Sequence, residues 1–197
     1  MATNREIKAA KTRDKLYETA LKLINQKGFE NVSVEDITQT AGVAKGTFYH
    51  HFDSKENLLY YTYVYLDSYY DRALEQAKKK DSFLSAYTEF VIESYKRFEG
   101  LGRNLVRALC MNLFTEENRK AMLSKDRALY SSIEYLMSVG KKEGVIDKNL
   151  NFKEFSDVYI TMLIGIETYW SLSEGSESLS DYAQKCLGRL LNGFLKR

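Results

Sequence analysis

Apolar residues recur every three or four positions through almost the whole of this sequence, whereas runs that alternate apolar with polar residues are not found in it. A period of this length places apolar side chains on one face of a helix. Proline, which interrupts helices, does not occur, and the glycines fall mainly where the periodic segments end. The pattern therefore predicts an all-α protein.

The composition is that of a globular protein, with 44% apolar and 28% charged residues. A net charge of +2 is too small to indicate the kind of partner. The sequence has neither a signal peptide nor an apolar run of 18 residues, which predicts a cytoplasmic protein that does not bind a membrane. Cys110 and Cys186 lie far apart and outside any CxxC motif or Cys/His cluster, so we expect reduced thiols, no metal site and no cofactor.

Local signals define two helices near the N-terminus. A first helix is predicted from about Thr12 to Lys27, where Gly28 ends it. The second helix begins at Ser33, because Ser33 and Asp36 have the spacing of a capping box.

Gly42 ends this second helix and allows a tight turn into a third. In the third helix, Ala44, Phe48 and Phe52 are four residues apart and are expected to face the core. Two short helices joined by a glycine turn form a helix-turn-helix unit. The face turned away from the core carries basic, small and aromatic residues, namely Lys45, Gly46, Tyr49 and His50.

Two lysines lie in or near predicted first helical turns, where acidic side chains are more favourable than basic ones. Lys45 lies in the predicted first turn of the third helix, and Lys55 in that of the next helix, which is expected to start at Asp53 and Ser54. A cation at the positive end of a helix dipole is mildly unfavourable unless an anion such as phosphate binds there. DNA would supply that phosphate, although simple solvation of both lysines remains an alternative.

Residues 12 to 59, "TRDKLYETALKLINQKGFENVSVEDITQTAGVAKGTFYHHFDSKENLL", resemble the DNA-binding domain of the tetracycline-repressor (TetR) family of bacterial regulators. The Gly-Phe, Val-x-x-Ile, Ala-Gly-Val, Gly-Thr-Phe-Tyr, His-Phe and Ser-Lys-Glu elements of that domain occur in order. The sequence departs from the family pattern at Thr38, where alanine is common, and at Ala44, where many members have a serine cap.

The resemblance implies a three-helix DNA-binding head, residues 1–55, and a helical-bundle body for ligand binding and dimerisation, residues 56–197. It also implies a homodimer that binds a double-stranded DNA operator. Together with the reading of the third helix, it predicts that seven residues face DNA: Ser33, Lys45, Gly46, Thr47, Tyr49, His50 and Lys55.

The body has aromatic stripes on its predicted helices, which include a long helix from Leu58 to Lys80 and others around 83–98, 105–114 and 129–140. Such stripes most often form ordinary core. The family resemblance adds the alternative that some of these residues line a cavity for a small molecule. The candidates are Tyr87, Phe90, Phe114, Tyr130, Met137, Tyr159 and Trp170, together with Glu167.

Glu167 is the only charged residue between positions 158 and 173. A buried carboxylate is costly unless it is paired or hydrogen-bonded. Its partner is expected to be a basic residue of the same subunit, a group across a two-fold axis, or an effector. An effector at this site would have an apolar or aromatic body and carry a cation or a hydrogen-bond donor.

The last segment of the sequence has an apolar face that is too wide for one neighbouring helix to cover. This face includes Leu179, Ala183 and Leu195. If this segment packs against the preceding helix and against the same two helices of a second subunit, the result is a four-helix dimer interface. Burial inside the same subunit is the alternative. The predicted interface residues are Phe155, Tyr159, Met162, Ile166, Tyr182, Cys186, Leu187, Leu190, Leu191 and Phe194.

The function predicted from these features is that of a DNA-binding transcriptional repressor whose operator binding is controlled by a small apolar or aromatic effector. HExxH, GxSxG and P-loop motifs do not occur in the sequence, so we do not expect an enzyme. The alternative is a helical DNA-binding or scaffold protein of the same fold that has no small-molecule effector and is controlled by a protein partner.

Overall fold

A computed structural model of the chain describes residues 3–195, which form ten α-helices and no β-strand. The all-α prediction is therefore confirmed. The helices are α1 (Asn4–Lys27), α2 (Val34–Ala41), α3 (Lys45–His51), α4 (Asn57–Ala77), α5 (Phe83–Glu99), α6 (Arg103–Met111), α7 (Glu116–Leu123), α8 (Ala128–Glu143), α9 (Phe152–Leu172) and α10 (Leu179–Phe194).

Helix α1 begins eight residues earlier than the apolar pattern predicted. Its N-cap is Thr3, whose hydroxyl accepts a hydrogen bond from the backbone of Glu6, while the Glu6 carboxylate accepts one from the backbone of Thr3. This capping box starts a helix in a polar stretch, where apolar spacing carries no signal. The first buried side chain of α1 is Leu16.

The helix-turn-helix forms as the sequence predicted. Ser33 and Asp36 make both hydrogen bonds of a capping box at the start of α2, and Gly42 adopts a left-handed conformation with φ of 66° between α2 and α3. Phe48 and Phe52 are fully buried. The prediction for Ala44 was wrong: it is the exposed N-cap of α3, because its extended backbone precedes the first helical turn.

Helix α4 starts at Asn57, after the start expected at Asp53 and Ser54. The Ser54 hydroxyl accepts a hydrogen bond from the Asn57 backbone. The helix packs along α5, and α5 also packs against α10. Helix α9 contacts both α6 and α10. The aromatic stripe on α5 is buried between these helices, as its spacing predicted.

The head and the body meet where α1 contacts α6, and Asn25 is the centre of this joint. Its side-chain amide donates to the Leu101 carbonyl, and its Oδ1 accepts a 3.3 Å hydrogen bond from the Leu105 backbone. Asn104 donates a 2.8 Å bond to the Asn25 carbonyl. Asn25 thus fixes α1 to the N-terminal end of α6.

Gly102 is required at this joint. Its φ is +87°, and a Cβ built on it would clash with the side-chain amide of Asn25. We therefore expect Gly102→Ala to destabilise the protein, with backbone strain alone costing about 1–3 kcal/mol. Thermal unfolding measures this, with Gly188→Ala as the control, because a Cβ there would meet nothing within 4 Å among the described residues. Equal melting temperatures for the two variants would contradict this account of the joint.

Candidate DNA-binding surface and effector site

The outward face of α3 is the candidate DNA-binding surface. Tyr49 is 50% exposed, Lys45, Gly46 and His50 are also exposed, and Thr47 is half-buried. A Cβ at Gly46 would meet nothing within 4 Å among residues 3–195, so a surface can approach the α3 backbone closely there. Because Ala44 has no side-chain oxygen to cap the helix, the first amides of α3 also stay open to an external acceptor.

Lys45 pairs with Glu35 of α2 across the turn, and both side chains are half exposed. The pair lowers the pKa of Glu35 through a hydrogen bond from the Lys45 ammonium, and it raises the pKa of Lys45. Since an ammonium has three donors, pairing with one carboxylate leaves Lys45 able to contact a phosphate or a base edge.

Lys55 is held by the head itself. Its ammonium donates a 2.8 Å hydrogen bond to the Phe29 carbonyl and lies 4.1 Å from the centre of the Phe29 ring. It stands before α4 rather than in its first turn. Two N–H groups of the ammonium remain for a phosphate, so the sequence-based assignment of Lys55 stays a prediction.

Ser33 is exposed but is committed to capping α2, and its hydroxyl also donates to Asp36. Thr38, one of the two departures from the family pattern, is buried at 3% exposure. Its hydroxyl donates to the backbone carbonyls of Val34 and Glu35. The polar group at position 38 is thus satisfied inside α2.

Glu167 is the centre of the candidate effector site. It is 6% exposed, and its Oε1 has no hydrogen-bond partner among residues 3–195. Burial raises its pKa to about 8, although the charge of Arg127 opposes the shift. At neutral pH the carboxyl is therefore mostly protonated and can both donate and accept hydrogen bonds.

Arg127 is the basic residue that accompanies Glu167 in the core. It is 5% exposed, its Nε donates a 2.9 Å hydrogen bond to Asp67, and one Nη is unpartnered among the described residues. Its guanidinium lies 5.6 and 5.7 Å from the ring centres of Tyr63 and Tyr70. The hydroxyl of Tyr95 is likewise buried without a partner in the described part of the chain.

Glu167, Arg127 and Tyr95 contribute three of the six buried side-chain polar atoms that have no hydrogen-bond partner among residues 3–195. Each such atom costs about 1–3 kcal/mol. Burial raises the pKa values of Tyr63, Tyr70 and Tyr95, and the nearby charge of Glu167 raises them further. We call Glu167, Arg127, Tyr63, Tyr70 and Tyr95 the polar cluster. It offers donors and acceptors to a molecule with polar groups.

A groove of about 300 Å³ opens on the surface between α6 and α9, beside the polar cluster. Its floor includes Cys110, whose pKa is raised to about 11 by burial and by the nearby charge of Glu167, with a hydrogen bond to Thr168 opposing the shift. The walls are largely apolar and include Met111, Leu113, Phe114, Ile164 and Leu172.

Tyr159 is buried, which raises its pKa, and the neighbouring Tyr87, Tyr70 and Glu167 raise that pKa further. Phe90 lies next to Tyr70, with ring centres 6.3 Å apart. Tyr87 and Met137 are buried in the core, and the Tyr87 hydroxyl donates to Leu187 of α10. For these four residues, a role in binding an effector stays a prediction.

The three other candidates have different surroundings. Phe114 is 93% exposed on the short turn after α6 and lies in the wall of the groove between α6 and α9, so its role in binding an effector stays a prediction. Tyr130 lines a different surface pocket with Phe152. Trp170 is held by Arg103, whose guanidinium lies 4.2 Å from its ring centre, and by a hydrogen bond to Glu177.

Sequence reasoning missed Arg127 and the tyrosines of the polar cluster. Arg127 follows the polar run Ser124-Lys125-Asp126, which gives no sign of burial. The tyrosines lie among the many aromatic residues of α4 and α5, and their spacing is that of ordinary core. A single charge in an apolar helix was the signal that identified Glu167.

The face predicted for dimerisation divides into two parts. Phe155, Tyr159, Ile166, Leu187 and Leu191 are at most 4% exposed and pack inside the subunit, as do Leu179 and Ala183, so they are not available to a partner. The half-buried members are Met162, Tyr182, Cys186, Leu190 and Phe194, with Leu195 beside them. Burial inside the subunit, the alternative reading, therefore holds for the first set.

An uncovered strip remains on the outer side of α9 and α10. Gly165 and Tyr169 are exposed on α9, with Tyr169 at 61%, and Leu172 is 65% exposed at its end. Tyr169 stacks on Tyr182 of α10 with ring centres 5.3 Å apart. This strip, made of Met162, Gly165, Tyr169, Leu172, Tyr182 and Cys186, is the outer face.

A short helix-turn-helix with an exposed basic and aromatic helix, joined to a larger helical body, defines a DNA-binding transcriptional regulator. Residues 16–61 match the sequence model of a family described as bacterial regulatory proteins, tetR family. The N-terminal part of the chain therefore carries a DNA-binding domain of the TetR family, and the resemblance noted in the sequence is confirmed.

Related proteins are also named as helix-turn-helix transcriptional regulators. The HTH-type transcriptional regulator YuxN of Bacillus subtilis is 40% identical over 88 residues, which are 44% of this chain and 30% of YuxN. The HTH-type transcriptional regulator UidR of Escherichia coli is 25% identical over 173 residues, 84% of this chain and 85% of UidR. The match to YuxN thus spans less than a third of that relative, whereas the match to UidR spans most of both chains.

Solved structures share the fold of the whole chain. The fatty acid degradation regulator FadR of Bacillus halodurans has a TM-score of 0.78 at 20% identity, covering 92% of this chain and 95% of that one. FadR of Bacillus subtilis in complex with stearoyl-CoA has a TM-score of 0.74 at 21% identity, covering 91% and 98%. At such identities the likeness concerns the fold alone.

In residues 3–195, no helix is both long and apolar enough to cross a membrane. The same residues contain no group of three or more His, Cys, Asp or Glu side chains placed to hold a metal ion.

Proposed function

We propose that this protein is a homodimeric repressor of the TetR family that inserts α3 into the major groove of its operator. The observation that carries the proposal is the outward face of α3, where Lys45, Tyr49 and His50 are exposed beside an uncovered backbone at Gly46. Lysine and tyrosine side chains can contact phosphates, and Lys45 can also reach a guanine edge.

A short helix of this kind reads only a few base pairs, so a second copy is needed to read two half-sites about one helical turn apart. The outer face supplies the surface for that copy. It lacks charged side chains, and its central Gly165 allows two α9 helices to approach closely. The dimer is then a bundle of α9 and α10 from each protomer.

The regulation proposed here is release of the operator by an effector whose polar group enters the polar cluster. Its apolar or aromatic body occupies the groove between α6 and α9. Glu167 faces it with a carboxyl that accepts from a neutral donor and ionises beside a cation. Because Asn25 joins the N-terminal end of α6 to α1, displacement of α6 is passed directly to the head.

Known ligands of structural relatives offer a second candidate. The Bacillus subtilis FadR structure contains stearoyl-CoA, and an acyl chain also fits an apolar groove. An acyl-CoA carries several negative charges, however, and would place them near the groove rather than satisfy Glu167. The two candidates therefore differ in the charge of the polar group.

The DNA-binding proposal is tested by selecting duplexes from a random-sequence pool with the purified protein. A two-fold symmetric motif with half-sites one turn apart is the expected result. Recovery of unrelated sequences would contradict it. In cells, a reporter driven by a promoter that contains the selected motif should be transcribed less when the protein is present.

The effector proposal is tested by measuring release from the selected duplex with naphthylethylamine, naphthylethanol, naphthylacetate and stearoyl-CoA. The amine and the alcohol are expected to release DNA because they present a cation or a donor to Glu167. Release by naphthylacetate or stearoyl-CoA alone would favour an anionic effector instead.

A further inference from the structure

The first three turns of α1, residues 4–15, precede its first buried residue, Leu16. We call this segment the basic arm. Arg5, Lys8, Lys11 and Lys15 are exposed in it, and none lies within 4 Å of a carboxylate of residues 3–195. No side chain of the arm is fully buried.

The four cations share one face of the arm. At 100° per residue, the spacings of three, three and four residues place them within about a third of the helix circumference. The acidic residues lie elsewhere: Glu6 is held in the capping box with Thr3, and Asp14 accepts a 2.8 Å hydrogen bond from Tyr65. Like charges at these spacings repel one another, so the face is unfavourable in the free protein.

The arm starts beside the end of the recognition helix. Arg13 lies 6.0 Å from the ring centre of Tyr61. The pKa of His51, the last residue of α3, is lowered by burial, by His50 and by the charge of Arg13. From Arg13 the arm extends toward its N-terminus for nine residues, about 14 Å at 1.5 Å per residue. The C-terminal end of the arm thus lies next to the candidate DNA-binding surface.

We propose that the basic arm binds the phosphate backbone of the DNA that flanks the half-site read by α3. Phosphates along the duplex complement a row of unpaired cations, and they remove the repulsion within the row. These contacts add affinity without reading sequence, because they involve only the backbone. The inference rests on the proposed operator binding and extends the DNA-contacting surface beyond the helix-turn-helix.

The test compares a triple variant, Arg5→Gln, Lys8→Gln and Lys11→Gln, with a charge-matched control, Lys79→Gln, Lys142→Gln and Lys148→Gln, whose lysines are exposed on the body. Glutamine keeps the helical propensity of the arm, and circular dichroism checks that helix content is unchanged. Each protein is titrated against the selected operator on two duplexes. One ends at the half-sites, and the other carries ten additional base pairs on each side.

On the long duplex, the arm variant should bind at least tenfold more weakly than wild type at moderate salt. Its plot of log affinity against log salt should be shallower by about 2 to 3 per protomer, since each phosphate contact contributes about 0.9. The control should match wild type, and on the short duplex all three proteins should behave alike.

Equal salt slopes for the arm variant and the control on the long duplex would overturn the inference, as would a defect of the same size on both duplexes. Failure of the proposed operator binding has a different signature. In that case wild-type protein does not distinguish the selected duplex from a scrambled one, whatever the length of the flanks.

Discussion

Gly165→Arg is expected to convert the dimer into a monomer and to weaken operator binding by at least about 100-fold, because linking two binding modules raises affinity by factors of 10² to 10⁴. An arginine at the centre of the outer face would be buried and unpaired in the proposed dimer, which is strongly unfavourable. Sedimentation gives the mass in solution, and titration of the selected duplex gives the affinity.

The substitution is compatible with the isolated subunit. A Cβ at Gly165 would meet nothing within 4 Å among the described residues, and arginine favours helices more than glycine does. Gly188→Arg is the matched control: Gly188 is equally uncrowded but lines a groove between α10 and α5, away from the outer face. A dimeric Gly165→Arg protein with wild-type affinity would place the interface elsewhere.

Glu167→Gln is expected to abolish release of DNA by the amine, while DNA binding without effector stays unchanged. An amide cannot ionise beside a cation, and it changes which donors and acceptors meet the effector. Dimer mass and affinity for the selected duplex serve as controls. An undiminished response would show that the effector does not contact Glu167.

The pH dependence of stability distinguishes loss of the effector response in Glu167→Gln from misfolding of this variant. Because burial raises the pKa of Glu167 to about 8 from its ordinary value near 4.5, the unfolded state loses its proton first as pH rises. Wild type should therefore lose stability between about pH 4.5 and 8, relative to Glu167→Gln, and the difference should level off above that range. Parallel melting curves for the two proteins across this range would contradict the raised pKa.

The head could be predicted in detail from the sequence because its signals are local. The capping box at Ser33, the left-handed turn at Gly42 and the four-residue spacing of Phe48 and Phe52 each act within one or two turns. The start of α1 was missed because its cap at Thr3 lies in a polar stretch. Ala44 was misassigned because the periodic pattern extends one residue beyond the helix that it describes.

The body could be predicted only in outline. Spacing identified the helices and the unusual charge of Glu167, but which face of α10 is covered depends on contacts with α5 and α9 that are distant in the sequence. Burial of Arg127 and exposure of Phe114 are also set by tertiary packing. Assignment of the polar cluster therefore required the structure.

The account rests on the claim that α3 contacts DNA, and Tyr49 tests that claim directly. The affinities of wild type, Tyr49→Ala and Tyr60→Ala are measured on the selected and the scrambled duplex. Tyr60 is an exposed tyrosine of α4, 37% accessible compared with 50% for Tyr49, and serves as the matched control. We expect Tyr49→Ala to weaken binding to both duplexes by at least about tenfold, because a lost charge-assisted contact costs about 1.5–3 kcal/mol and backbone contacts do not depend on sequence. Tyr60→Ala should bind as wild type does, and equal affinities for all three proteins would contradict the assignment of α3 as the DNA-contacting helix.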